Sequence, residues 1–427
     1  MNTRLFVLAA ALTVPLLPMR SAGREAPPHY DLTLVLQPAE KRIQVTGTIR
    51  LTDVRGSGAF TLYLHKGLSF RTFEIDGIPV DPGPAGPSDI QFMPAAFKYD
   101  VSSPPQAEGF AERILGFSYD GALDERPEWL ANIVSETWVE IGNYFPWYPV
   151  CPGLGPFTYK VTVSAPSPYR VYAPGTETRT GGRFVFESNR PTKDVVVCAS
   201  ADLRVQRFRV DGNDFSLASF SLDSETIRAL VRDVDDVYRT LGRWYGRIEQ
   251  PLALVESKRE KGGGYSRPGG LFLPGFTRTP YLDNRLGYRR YLAHEIAHGW
   301  WNLADASTWH DWLNESFAEY TALRYLRETA GTGEFRKRIE SYARESEGLP
   351  PLWELDRDSE AAYEALYRKG PVLLHRLEER LGTDRFISLC RTVLEQRAGR
   401  TEDFFVILKA AAGEETAFWF ENLLRTL

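Results

Sequence analysis

Two histidines and a glutamate at close spacing raise the question of chemistry. His294, Glu295 and His298 stand in "YLAHEIAHGWW". On an α-helix His294 and His298, at i and i+4, project from one face a turn apart, as a metal ion needs from two imidazoles. Glu295, one residue on, then points toward a water at the metal and not at the metal itself. With 6 His and 56 acidic residues in 427, chance yields such a pattern with a probability on the order of 0.01. The plain alternative is a surface helix with two solvated histidines.

A catalytic zinc usually has three protein ligands and an open position for water, so a third donor is needed. Glu315 interrupts the apolar stripe Trp312, Leu313, Phe317, Tyr320, Leu323 and Tyr325 of the following helical pattern. A carboxylate on the inner face of a helix is paired or bound to metal; the alternative is a first-turn carboxylate serving the helix dipole. Glu319, one turn later, either accepts a hydrogen bond from a ligand histidine or lies on solvated helix surface. His310 as a fourth ligand would close the site, but structural zinc is more usually held by cysteines.

The elements that must position these residues change character near residue 210. From about Tyr30 to Arg209, short alternating runs such as "YDLTLVLQP" and "YKVTVSAP" are broken by Pro, Gly and Asp, which predicts an antiparallel β-rich domain over 23–209. From Asp223 the period becomes helical: Ile227, Leu230, Val231, Val234 and Val237 fall on one face between an Asp/Ser cap signal and Gly246. The strand-like "PLALVES" and "GGLFLP" follow, and helices then run almost to Leu427. The expected fold class is therefore α+β and multidomain, with a second, mainly helical domain over 210–427. The "GGLFLP" strand, as an exposed edge beside the metal helix, is expected to pair with an extended peptide.

Composition narrows the partners. The 51 basic and 56 acidic residues give a net charge of -5 with no long basic run, so nothing calls for nucleic acid or an anionic membrane. Residues 1–22 carry Arg4, an apolar run and then small residues, the order of a cleavable secretory signal, with an uncleaved anchor as the alternative. An exported protein, periplasmic or extracellular, with no later membrane span is expected. Cys151, Cys198 and Cys390 show no C-x-x-C spacing, and pairing of Cys151 with Cys198 stays open.

The chain resembles the aminopeptidase N-like zinc metallopeptidases of the gluzincin group, which also contains thermolysin. The resemblance rests on "HEIAHGWWN", "WLNESFAEY", "YRKGPVLLHRLEERLG", "FWFENLL" and, in the β domain, "YDLTLVLQP" with "VTGTIRL". It implies a thermolysin-like catalytic domain and one zinc per chain, held by His294, His298 and Glu315 at roughly 2.0–2.2 Å. It further implies Glu295 as general base, Tyr367 as the hydroxyl that steadies the transition state, and peptides or proteins as substrates. From the residues alone, a core aromatic remains the alternative for Tyr367, since "YEALY" puts it on one helical face with Tyr363.

The departures from the family pattern are as informative. Residues 299–314 make a shorter gap between the second histidine and the third ligand than is usual there. The chain stops at Leu427, so the cleft is expected to be more open than in relatives with a further helical domain. In the stretch Gly263, Gly264, Tyr265, Ser266, Arg267, expected to bind substrate, Ser266 replaces the glutamate that clasps a substrate's free amine in the family, and Arg267 replaces an asparagine. A cationic Arg267 would repel an ammonium and welcome a carboxylate, unless it is a solvated loop residue. Only Glu136 or Glu140 offers another anionic anchor. Three readings follow: an aminopeptidase-like enzyme, an endopeptidase with an open cleft, or a non-catalytic peptide binder braced by zinc.

Overall fold

The computed structural model describes residues 26–52, 59–90, 92–104, 112–124, 132–248, 252–258, 264–267, 269–274, 280–357 and 359–426. The expected signal at 1–22, and Gly263, lie outside them. Strand patterning in the first half is direct: in Phe157–Ser164 the buried Phe157, Tyr159, Val161 and Val163 alternate with half-buried polar residues. Eight described strands make its main sheet, in the order Thr176–Thr180, Arg183–Thr192, Phe157–Ser164, His29–Gln37, Arg42–Thr52, Glu112–Ala122, Leu68–Ile75 and Ile78–Pro79. It is antiparallel except where His29–Gln37 runs parallel to Phe157–Ser164, with Leu32 opposite Val161. Two smaller sheets complete the β-rich domain.

The second half opens on a five-stranded sheet in the order Arg204–Val210, Asn213–Ser219, Leu252–Ser257, Gly270–Pro274, Tyr265–Arg267. Its first strand spans the expected 209–210 junction. Between the second and third strands runs helix α1 (Ser224–Tyr245). Asp223 caps it by accepting the Thr226 amide at 2.7 Å, and Gly246, at φ 93°, ends it. Leu252–Ser257 is buried at every position, as a parallel strand covered on both faces must be.

One expectation is corrected here. The "GGLFLP" strand, observed as Gly270–Pro274, is an interior strand with buried Leu271, Phe272 and Leu273. The edge is Tyr265–Arg267, paired antiparallel to it with Tyr265 opposite Phe272. A continuous apolar run buries both faces and so belongs inside a sheet; the more polar Tyr-Ser-Arg segment takes the edge.

Helix α2 (Arg285–Ala297), helix α3 (Trp312–Ala330), helix α4 (Thr332–Glu345) and further helices to Thr426 pack around one apolar core. The seam with the β domain is apolar too: Trp138, Tyr172, Val196, Cys198 and Leu203 meet Ala218, Ala253, Val255 and Phe272. Cys151, Cys198 and Cys390 are all buried free thiols, and burial pushes Cys151 up to about 12. No described helix is long and apolar enough to cross a membrane.

Candidate metal centre

His294 lies in the last turn of α2 and His298 at its C-terminal cap, so the i, i+4 pair ends the helix facing α3. Their rings stand edge to face, with centroids 4.9 Å apart. Glu315 enters from the first turn of α3. Its Oε2 lies 3.6 Å from Nε2 of His294 and 3.5 Å from Nε2 of His298. Among the described residues, these three are the group whose donor atoms converge, all within 4.8 Å of one another.

The loop between α2 and α3 is short because it is tied from below. Asn314, next to Glu315, accepts from the Leu303 and Ala304 amides at 2.8 and 3.1 Å, and donates to the Ala304 carbonyl and to Asp311. A single buried amide thus satisfies the loop backbone and fixes the start of α3. The three candidate donors converge despite the shortened gap. His310 turns away, with Nδ1 3.1 Å from Thr401 Oγ1.

Both histidines are oriented from behind. Nδ1 of His298 is 3.1 Å from the Trp301 carbonyl, which selects the tautomer that leaves Nε2 toward Glu315. Nδ1 of His294 is 2.9 Å from Oε2 of Glu319, though off the line of a well-aligned hydrogen bond. Glu319 is buried, and it also accepts from the Tyr342 hydroxyl at 2.6 Å and from Arg290. Burial opposes its charge, but the Arg290 guanidinium and then His294 outweigh it and hold Glu319 down at about 2. Of the two sequence alternatives for Glu319, solvated surface is thereby ruled out. Arg290, one turn before His294 on the same face, went unread in the sequence.

A zinc ion fits this set. Tetrahedral donors at about 2.0–2.2 Å from a metal stand roughly 3.3–3.6 Å apart, and the two measured separations are 3.5 and 3.6 Å. Oε2 of Glu315 is buried and has no hydrogen-bond partner, an expensive state for a carboxylate oxygen unless a cation takes it up. The electrostatics agree. Burial opposes charge on the imidazoles, yet Glu315 and then Glu319 raise His294 to about 10, and Glu315 raises His298. Burial likewise opposes ionisation of Glu315, but His298 and His294 hold it well below the usual carboxylate range. The cluster is a trap for positive charge, which a divalent cation fills by displacing protons.

Glu295 is half-buried on α2, and its charge acts on both imidazoles and on Tyr367. Tyr367 stacks on His294 with centroids 5.4 Å apart, and the exposed Tyr363 also stacks on Tyr367, at 4.3 Å. Burial first, and then the Glu315 carboxylate that its hydroxyl meets, keep the phenol protonated far above its ordinary range. Tyr367 is therefore a donor aimed at the cluster, not a remote core aromatic.

The edge strand sits against the metal helix. A Cβ on Gly264 would fall 2.2 Å from the Tyr291 hydroxyl of α2, so glycine permits the close approach. Tyr265 and Arg267 both turn into the seam. The Tyr265 hydroxyl donates to Glu140 at 2.9 Å; Arg267 donates to Asp194 at 2.7 Å and to Asn143 at 3.1 Å. Arg267 is neither a solvated loop residue nor free to receive a carboxylate, because its charge is spent on the buried Asp194. By strand alternation the side chain of Ser266 turns the other way. Glu140 is completely buried and also accepts from Trp138 Nε1 at 3.0 Å and from Ser257, while Glu136 is exposed.

Residues 282–420 match the profile of the Peptidase family M1 domain. Among solved structures, the chain is similar to an M1 zinc metallopeptidase from Deinococcus radiodurans at 20% identity, covering 94% of each chain with a TM-score of 0.69. A mutant M1 zinc metallopeptidase from Deinococcus radiodurans bound to a Tyr-Ser-Ala substrate matches at 18% identity, the same coverage and the same TM-score. A mutant two-domain M1 zinc metallopeptidase bound to L-tryptophan matches at 19%, again with 94% coverage of each chain and a TM-score of 0.69. No curated protein matches.

The chain thus has the two-domain M1 zinc metallopeptidase fold, and the resemblance to the aminopeptidase N-like gluzincins holds. The match over residues 282–420 is consistent with a hydrolase, and His294, His298 and Glu315 offer a possible zinc site.

Proposed function

We propose that the protein is a zinc-dependent metallopeptidase of aminopeptidase-like action, with His294, His298 and Glu315 as the zinc ligands. What carries the reading is the orphaned Glu315 oxygen between two pre-oriented imidazoles, with Glu295 and Tyr367 beside them. Zinc held there would polarise a substrate carbonyl and lower the pKa of a water at the open position toward about 7. Glu295 takes the proton of the attacking water as the new C–O bond forms, and returns it to the amine as the C–N bond breaks. Tyr367 donates its hydroxyl to the carbonyl oxygen as negative charge grows there. An extended peptide pairs with the Tyr265–Arg267 edge, and Ser266 faces it.

Similar structures hold a tripeptide substrate and a free amino acid, which supports short peptides and release of single residues. An endopeptidase is the second reading, favoured by Ser266 and by Glu140, whose oxygens are already taken by Tyr265, Trp138 and Ser257. The N-terminal apolar run supports action outside the cytoplasm.

One peptide offered free and N-acetylated, with the Glu295→Gln protein as blank, separates the readings. The proposal predicts cleavage of the free form one residue from its N-terminus. Equal cleavage of the blocked form at internal bonds overturns the aminopeptidase assignment and leaves the endopeptidase.

A further inference from the structure

Tyr367 lies in a π-helical turn, Ala365–Lys369, that leads into the helix Gly370–Leu381. The wider turn is visible in its hydrogen bonding: the Gly370 amide donates to the Ala365 carbonyl, five residues back. The next residue in that ladder is Pro371, which has no N–H. The Leu366 carbonyl, five residues before Pro371, therefore loses its donor inside a buried segment, where an unpaired carbonyl is costly.

Ser316 supplies the missing donor. Its hydroxyl reaches Leu366 O at 2.8 Å, and both residues are completely buried. Ser316 directly follows Glu315 on α3, so one turn of one helix holds both the inferred metal ligand and the latch on the Tyr367 segment. Gly370 belongs to the same device. A Cβ there would stand 1.9 Å from Ser316 Oγ, so any larger residue would push the π-turn off α3.

We infer that Ser316 is a positioning residue: by replacing the donor that Pro371 lacks, it fixes the Tyr367 hydroxyl relative to Glu315 and the metal. The inference rests on the role proposed for Tyr367 in peptide hydrolysis. Loss of the hydroxyl frees the turn to relax toward ordinary helical geometry, which carries the phenol away from the cluster while leaving the ligands in place.

The test is a double-mutant cycle on zinc-loaded protein with Ser316→Ala, Tyr367→Phe and the pair. Ser316→Ala should lower kcat about tenfold, leave KM within about twofold and leave zinc affinity unchanged, since the interaction matters in the transition state. In the Tyr367→Phe background the same change should cost nothing more. Ser316→Cys, which keeps a weak donor, should fall between Ser316→Ala and wild type. A crystal structure of Ser316→Ala, with or without metal, should show the Tyr367 ring displaced from His294. Equal losses in both backgrounds, an undisturbed Tyr367 ring, or weakened zinc binding would each overturn the latch. A fully active Tyr367→Phe protein would instead sink the role of Tyr367 itself.

Discussion

Glu295→Gln should lower kcat/KM on peptides by about 10²- to 10⁴-fold, the usual worth of a positioned general base, and should leave zinc bound. The two halves of this result are separable because Glu295 is not one of the converging donors: His294, His298 and Glu315 supply those. Glutamine keeps the shape and removes only the ability to take a proton. Metal analysis and steady-state kinetics on the same preparation check it. A protein that keeps its zinc and its full rate would remove Glu295 from the mechanism; one that loses zinc along with the rate would make it a ligand.

Glu315→Gln is expected to act on the metal itself. The amide removes one negative charge from the trap and brings an N–H group among imidazoles whose Nε2 atoms lie 3.5 and 3.6 Å away. Loss of a supporting partner behind a ligand already costs 10- to 100-fold in metal affinity. Replacing a ligand should therefore weaken zinc by at least about 100-fold, and activity at limiting zinc should fall with it. Competition with a chromogenic chelator measures the affinity. Unchanged zinc binding in Glu315→Gln would mean that the third ligand has been misassigned. The variant also loses the carboxylate that raises His294 and His298, so both imidazoles should titrate lower in the metal-free protein.

How far the sequence could be read depended on the distance over which each residue finds its partner. His294 and His298 share a helix, and Glu315 interrupts an apolar stripe; both signals are local, and the three residues meet in space. The division into a β-rich and a helical part was legible for the same reason. Arg267 was not, because its partner Asp194 is 73 residues away, between two strands of the β-rich domain, and only the packed seam brings them to 2.7 Å. Glu319 stayed open between a histidine's partner and solvated surface until α4 brought Tyr342 and α2 brought Arg290 onto it. The edge of the five-stranded sheet depended on strand order, which places Gly270–Pro274 beside Leu252–Ser257 and leaves the intervening Tyr265–Arg267 outside. The π-turn under Tyr367 had a local sign in Pro371, yet the hydroxyl that answers it comes from 50 residues earlier.

The most direct test of the account is a zinc titration of the wild-type protein after complete removal of metal. Peptide hydrolysis should be absent without metal, rise in proportion to added zinc and level off at one equivalent per chain, as expected for three converging donors with an open fourth position. Hydrolysis at the full rate by protein shown to hold no metal would contradict it.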